Sequence, residues 1–107
     1  LKYWTKEKTL FYVYDLSLTR PELEALEAAN EKWGIYVHGV VVEAEASPDQ
    51  VSEELFAANI GNGAYRLELE IQNIIGYDQL EKMKAFRKSF NDRVFARFGT
   101  DMKFTGY

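Results

Sequence analysis

Residues 65–72 carry the clearest pattern of hydrophobic and polar positions in the chain. Apolar or aromatic side chains alternate strictly with polar ones, in the order Tyr-Arg-Leu-Glu-Leu-Glu-Ile-Gln. Because successive side chains of a β-strand point to opposite faces of the sheet, this alternation predicts a half-buried strand. One face of the predicted sheet is then a core, while the other face meets water or a partner along this strand.

Three further segments predict strands. Residues 9–18 and 35–45 are rich in β-branched and aromatic side chains, and both are apolar on both faces near their centres, which is typical of interior strands. Residues 102–107 form a short alternating segment that predicts a last strand. Residues 1–8 show no clear period, and we expect an arm or a short edge element whose two aromatic side chains pack against the body.

Helix signals separate these segments. The sequence Thr-Arg-Pro-Glu at residues 19–22 places a glutamate three positions after a capping residue and a proline in the first turn, which predicts a helix that ends at Gly34. The sequence Ser-Pro-Asp-Gln at residues 47–50 repeats these signals and predicts a short helix that ends at Gly61.

The longest predicted helix covers residues 78–98, with Asp78 as its cap and Gly99 beyond its end. Apolar side chains recur at every fourth position, the strongest helical signal in the chain. These side chains are Phe86, Phe90, Val94 and Phe98. The opposite face is distinctly basic, and it carries Lys82, Lys84, Arg87, Lys88, Asp92 and Arg93.

The predicted order of elements is β-α-β-α-β-α-β, which by alternation alone favours a small parallel α/β sheet. Residues 65–72 are one-sided, however, whereas central strands of parallel sheets are buried on both faces. Without the short middle helix the order becomes the ferredoxin-like plan, β-α-β-β-α-β. We therefore predict a single α+β domain over residues 1–107: a ferredoxin-like, four-stranded, mainly antiparallel sheet with two long helices on one face and an extra short helix between strands 2 and 3. The parallel α/β fold is the alternative.

The composition is that of an acidic globular protein without thiol chemistry. Of the 107 residues, 47% are hydrophobic and 28% are charged, which is typical of a folded domain. The absence of cysteine excludes disulfides, zinc–thiolate sites and cysteine nucleophiles. A net charge of −4 argues against a nucleic-acid partner, since phosphate binding needs a basic surface. With neither a transmembrane run nor a signal-peptide pattern visible, we expect a cytoplasmic location without membrane contact.

His38 is the only histidine and thus the one candidate imidazole acid–base group. If it shares the outer sheet face with Glu68 or Glu70, a carboxylate could orient it as a general base. The alternative interpretation is a half-buried strand histidine bonded to a neighbour. Glu68 and Glu70, about 7 Å apart on one strand face, could form a carboxylate pair. The adjacent Arg66 instead favours a cross-strand charge ladder, for example with Lys103, so we predict no catalytic residue.

Two other motifs do not match known site patterns. The acidic side chains of residues 43–54 lack the order of a calcium-binding loop. The Gly-Asn-Gly sequence at residues 61–63 precedes a predicted strand, whereas phosphate-binding loops follow a strand and open a helix. We therefore expect neither a metal ion nor a cofactor.

The outer sheet face is the predicted contact surface. Phe11 and Val13 lie on that face of the first strand, and the second strand adds an apolar set, either Ile35, Val37 and Val41 or Tyr36, Val40 and Val42. An exposed apolar patch of this size usually marks an interaction site. The predicted binding residues are Phe11, Val13, His38, Arg66, Glu68 and Glu70.

Three functions are compatible with these features. The first is a small non-enzymatic binding or regulatory protein, an inhibitor or adaptor, that contacts a protein partner or a second copy of itself as a homodimer through the mixed apolar and charged sheet face. The second is a dimeric ferredoxin-like enzyme that binds a small apolar substrate between two sheets. The third is a single-stranded nucleic-acid binder that uses Tyr12, Tyr14 and the basic face of the last helix.

Overall fold

The computed structural model describes residues 2–99 and 104–107, with side chains from Trp4 onward. Four α-helices account for most of this part of the chain: α1 (Lys2–Leu10), α2 (Arg20–Ala46), α3 (Glu53–Ile75) and α4 (Tyr77–Phe98). Helix α1 continues directly into one π-helical segment, Phe11–Asp15. No helix in the described part is long and apolar enough to cross a membrane.

The predicted α+β ferredoxin-like fold and its parallel α/β alternative are both wrong, because the described residues contain no strand. Residues 9–18, predicted as the first strand, lie in α1, the π-helical segment and the link that follows. Residues 35–45, predicted as the second strand, are the second half of α2, which runs through Gly34 rather than ending there. Residues 104–107 have neither helix nor strand, and residues 102 and 103 of the predicted last strand lie outside the described residues.

The strand prediction was also wrong for the segment with the clearest strand pattern. Residues 65–72 lie inside α3, together with most of the short helix that was predicted from residue 47 onward. A strict alternation with period two also places an apolar residue at every fourth position, which is close to one helical turn. Leu67 and Ile71 form such a pair and are buried, whereas Tyr65 and Leu69, the other half of the apolar set, are exposed.

Helix signals were more reliable than strand signals. Thr19 accepts a hydrogen bond from the Glu22 backbone N–H, and the Thr19 N–H donates to the Glu22 carboxylate at 2.9 Å, which confirms the capping box. Helix α4 begins at Tyr77, one residue before the predicted cap, and ends as predicted with Gly99 in the left-handed region at φ 63°. Gly76, at φ 87°, is the sole residue between α3 and α4, a turn that favours glycine.

The core lies where α2, α3 and α4 meet the π-helical segment and Tyr107. Leu26 and Ala29 of α2 pack there against Leu67 and Ile71 of α3, and Met83 of α4 completes this layer. Helix α1 packs on α4 through aromatic rings: Trp4 is buried as expected and lies 5.0 Å from Phe90, while Phe11 stacks on Phe86 at 4.4 Å. These contacts define a four-helix body at one end of the molecule.

The other end is a two-helix arm. We use this name for residues 34–66, the second half of α2, the connection after it and the first half of α3; none of them belongs to the core cluster. Lys32 pairs with Glu70 at 2.9 Å, and the Tyr36 hydroxyl donates to the Asn59 carbonyl at 2.7 Å, so α2 and α3 run antiparallel. Helix α2, about 40 Å long at 1.5 Å per residue, is nearly as long as the longest dimension of the molecule, which measures 47 × 33 × 21 Å.

Candidate functional site

Helix α2 is apolar around its whole circumference within the arm. Between Trp33 and Val42 the sequence is Trp-Gly-Ile-Tyr-Val-His-Gly-Val-Val-Val, with His38 as the one strongly polar side chain. Val40 is buried against α3. Ile35 and Val42, seven residues apart and thus on one face, are 67% and 48% exposed. The face of α2 opposite its packing surface therefore exposes apolar side chains to solvent, with His38 between Ile35 and Val42.

Helix α3 shows the same arrangement. Gly63 and Leu67 are buried on the face that packs in the hairpin. Leu55, Tyr65 and Leu69 are exposed, Tyr65 to 63%. At 3.6 residues per turn these three residues lie in one narrow sector on the opposite face of the helix. Because each set points away from the other helix, Leu55, Tyr65 and Leu69 lie on the opposite side of the hairpin from Ile35 and Val42. We call the exposed face of α2 in the arm, with Ile35, Val42 and the acidic groups around them, the arm surface.

Apart from Arg66 at its base, the charged groups of the arm are all negative. No lysine or arginine occurs between Trp33 and Tyr65. The carboxylates lie at the end of α2, in the connection and in the first turn of α3, and all of them are exposed. They are Glu43, Glu45, Asp49, Glu53 and Glu54. Two of these, in the first turn of α3, also lie favourably at the positive end of that helix dipole.

A shallow cleft of about 290 Å³ marks the base of the arm between α2 and α3. The rings of Trp33 and Tyr36, stacked at 6.0 Å, form one wall. Gly63 forms the floor, and the Arg66 side chain lies at the rim. The cleft offers aromatic surface and the cation of Arg66, and its other charged groups, Lys32 and Glu70, are paired with each other at 2.9 Å.

The charged residues of the predicted binding set are spread over two sides of α3. On a strand, Arg66, Glu68 and Glu70 would share one face; on a helix, Arg66 and Glu70 share a face and Glu68 lies elsewhere. Glu70 pairs with Lys32 of α2, while Glu68 pairs with Lys84 of α4 at 3.3 Å. The pKa of Lys84 is raised, mainly because its ammonium group donates a hydrogen bond to Glu68. The two glutamates therefore serve different helix–helix contacts.

The structure does not bring His38 to either glutamate. His38 is exposed on α2 and lies beyond Tyr36 toward the tip of the arm. Glu68 and Glu70 lie on the other side of the Tyr36–Asn59 contact, toward the body. The general-base geometry considered for this histidine is therefore absent, and among the described residues no cluster of three or more histidine, aspartate or glutamate side chains could hold a metal ion.

The remaining predicted binding residues lie on the body, away from the arm. Phe11 is half-buried in its stack with Phe86, whereas Val13, also in the π-helical segment, is exposed. Tyr12 is buried and its neighbour Tyr14 is exposed, so these two rings do not form a joint stacking platform for bases. If residues 33–42 had been interpreted as a helix, Ile35 and Val42 would have been predicted to share a face. The strand interpretation placed them on opposite faces of the sheet.

Comparisons with protein-family models, with curated proteins and with solved structures found no match to this chain. The arguments for function therefore come from the arm surface and from the body of this structure.

Proposed function

We propose that the protein is a small non-enzymatic binding module, an inhibitor or adaptor, that contacts a partner protein through the arm surface. The predicted sheet face does not exist, so the proposed contact surface moves to the outward side of α2. The observation that carries the proposal is the all-round apolar character of α2 between Trp33 and Val42.

A helix that is hydrophobic on all sides is normally covered on all sides. Helix α3 covers one side of α2, where Val40 is buried, and leaves Ile35 and Val42 exposed on the other. Exposed apolar surface of this kind, surrounded by charged groups, is typical of protein interfaces. Burying the part of these two side chains that is still exposed would contribute about 1–2 kcal/mol each.

The charge of the arm favours a basic partner over a second copy of the chain. Two arms packed side by side would bring together the acidic groups of both copies, and like charges oppose association. A partner with lysine and arginine around an apolar patch would instead match the arm in both charge and polarity. Its association rate should fall as salt is raised, because electrostatic steering is screened. A homodimer is the alternative occupant.

Site-specific photocrosslinking identifies the partner. A photoreactive phenylalanine analogue at position 42 should crosslink to the partner in cells that express the protein naturally. The same analogue at position 28, an exposed alanine on the same side of α2 but on the body, should not. A crosslink between two copies of this chain would instead identify the homodimer.

The identified partner then permits a quantitative test with purified proteins. The double substitution Ile35→Glu and Val42→Glu should weaken binding at least tenfold, since interface anchors cost more than about 1.4 kcal/mol when lost. Ala28→Glu adds the same kind of charge to the same helix and should leave the affinity unchanged. Equal effects of the two changes, or none from either, would refute the arm surface as the binding site.

The other functions have less support. The enzyme hypothesis required a substrate between two sheets, and the helical fold has no sheet among the described residues. The nucleic-acid hypothesis required an accessible Tyr12, but this side chain is buried, and its hydroxyl donates a hydrogen bond to the Tyr107 backbone oxygen at 2.9 Å. We place the proposed binding module in the cytoplasm, and fractionation of the source cells tests that location.

A further inference from the structure

Residues 104–107, Phe-Thr-Gly-Tyr, lie in a groove on the four-helix body without forming helix or strand. Side chains from α2, α3, α4 and the π-helical segment contact them, and α1 contributes an aromatic ring. We call this site the peptide groove. It is separate from the arm surface, and it uses side chains on helices to bind the main chain of a non-helical segment.

Helix α4 binds the first half of the segment. The Asn91 amide makes two hydrogen bonds with one residue: its Nδ2 donates to the Phe104 carbonyl at 3.2 Å, and its Oδ1 accepts from the Phe104 N–H at 3.0 Å. One turn earlier, the Arg87 guanidinium donates to the Thr105 carbonyl at 2.8 Å and, more weakly, to the Gly106 carbonyl at 3.4 Å. These contacts depend on backbone atoms that any peptide carries.

Helix α2 and the π-helical segment bind the second half. The Asn30 Oδ1 accepts from the Tyr107 N–H at 2.7 Å. The Tyr12 hydroxyl donates to the Tyr107 backbone oxygen at 2.9 Å in a buried position. Together with the contacts from α4, side chains thus reach backbone atoms of every residue from Phe104 to Tyr107.

Two aromatic side chains of the segment occupy their own sites. The Phe104 ring stacks on Trp4 at 5.2 Å and meets the edge of Phe90 at 5.5 Å. The Tyr107 side chain is 2% exposed, and the Arg87 guanidinium lies 4.3 Å above its ring. Aromatic stacking and a cation over a ring both contribute to recognition of side chains of this type.

The third position of the segment, Gly106, favours glycine. A β-carbon on Gly106 would lie 3.2 Å from the Asn30 Oδ1. That oxygen cannot move away freely, because it also accepts the hydrogen bond from the Tyr107 N–H. Thr105, by contrast, is exposed, and its hydroxyl makes one long hydrogen bond of 3.4 Å with the Trp33 indole. The groove therefore distinguishes positions one, three and four of the segment and tolerates variation at position two.

We propose that the peptide groove is a binding site for a segment of another protein with an aromatic residue, any residue, glycine and tyrosine in succession. Residues 104–107 of the chain itself occupy the site and compete with this ligand. Binding through main-chain hydrogen bonds, with specificity from side-chain pockets, is a recurring mode of peptide recognition. Since a tethered segment has an effective concentration in the millimolar range, free peptide below that concentration binds measurably only when the chain's own segment is weakened.

The test uses the full chain with the substitutions Phe104→Ala and Gly106→Ala, which weaken its own segment. The probe is a fluorescein-labelled peptide, Phe-Thr-Gly-Tyr, and the readout is fluorescence anisotropy. The weakened chain should bind this peptide at least tenfold more tightly than the wild-type chain does. The control peptide Phe-Thr-Ala-Tyr should bind the weakened chain at least tenfold less tightly, because its β-carbon meets Asn30.

Two additional variants separate this site from the arm surface. Asn91→Ala in the weakened chain should abolish peptide binding, whereas Ile35→Glu with Val42→Glu should leave it unchanged. If the weakened chain keeps its helical circular dichroism and fails to bind, or binds the glycine and alanine peptides equally, residues 104–107 are only a structural part of the body. This outcome would leave the proposal for the arm surface unaffected.

A measurement on the wild-type chain covers the case in which the weakened chain does not fold. Unlabelled peptide at millimolar concentration should displace residues 104–107 and shift the side-chain amide NMR signals of Asn30 and Asn91. The effective concentration of the tethered segment is about 1 mM. If the signals stay unchanged when the peptide is present at about 5 to 10 times this concentration, the proposal is overturned.

Discussion

The ring of Tyr36 covers Gly63 so closely that a β-carbon at position 63 would overlap the ring edge and lie 3.0 Å from Trp33. The ring cannot rotate away without cost, because its hydroxyl donates a 2.7 Å hydrogen bond to the Asn59 carbonyl, one turn earlier on α3. A glycine inside a helix thus permits α2 and α3 to approach closely at the base of the arm.

Gly63→Ala should therefore destabilise the protein, although alanine is the better helix former. Overpacking costs about 1–3 kcal/mol, which outweighs the gain of up to about 1 kcal/mol in helix propensity. Gly61→Ala is the matched control, since a β-carbon there meets nothing within 4 Å. It should stabilise by about 0.5–1 kcal/mol. Urea unfolding followed by circular dichroism checks both, and a stabilising Gly63→Ala would show that the close contact is wrong.

Three glycines show which helix ends could be predicted from the sequence and which could not. Gly34 and Gly61 were interpreted as helix ends, because glycine is common just beyond a helix and costs about 1 kcal/mol inside one. Both lie within helices, where packing between α2 and α3 outweighs this local preference. Gly99 was interpreted correctly, since there the chain adopts a left-handed conformation and the helix does end. Local signals alone cannot distinguish these cases.

The site was harder to predict than the helices. The β-branched run at residues 35–42 has a strand-like composition, but β-propensity mostly reflects packing and burial. Once that run is helical, Ile35 and Val42 share a face, and Arg66 and Glu68 no longer do. The peptide groove could not be predicted at all, because Asn30, Arg87 and Asn91 converge on residues 104–107 only through the arrangement of separate helices.

The capping box at Thr19 should be worth about 1 kcal/mol. The Thr19 hydroxyl accepts from the Glu22 N–H at 3.3 Å, and Thr19→Ala removes this bond at the start of the longest helix. Thr9→Ala is the control: its hydroxyl bonds the Thr5 carbonyl within an exposed stretch of α1, and its loss should change stability by less than about 0.5 kcal/mol. Chemical denaturation of both variants measures the difference, and equal effects would contradict the role of the cap.

Ser17 follows the π-helical segment and is the one non-glycine residue among those described with a positive φ, 53°. This left-handed conformation costs most residues about 1–2 kcal/mol. Ser17→Gly should relieve that strain and match or exceed the wild-type stability. Ser17→Val, which places a β-branched side chain in the same conformation, should destabilise by at least about 1 kcal/mol. The thermal midpoints of the two variants check this order, and the reverse order would show that Ser17 is not strained.

The buried hydroxyl of Tyr12 should make the protein sensitive to high pH. Burial raises the pKa of Tyr12, with the nearby Arg87 opposing this effect, and burial likewise raises the pKa of Tyr107. In the unfolded chain both phenols ionise at about pH 10. Above that pH the unfolded state loses protons that the native state retains, so the free energy of unfolding falls as pH rises. Below about pH 9 neither state is ionised, and these groups add no slope.

Tyr12→Phe separates this contribution from that of other groups. At pH 7 it should cost about 1 kcal/mol, through loss of the hydrogen bond to the Tyr107 backbone oxygen. Between about pH 10 and 11, where tyrosines of the unfolded chain ionise, the free energy of unfolding of the variant should fall less steeply than that of the wild type. Lysines that titrate in this range, including Lys8, whose pKa is lowered by burial, are present in both proteins and cancel in the comparison. Urea unfolding from pH 8 to 11 gives the two slopes, and parallel slopes would mean that Tyr12 ionises equally readily in the native and unfolded states.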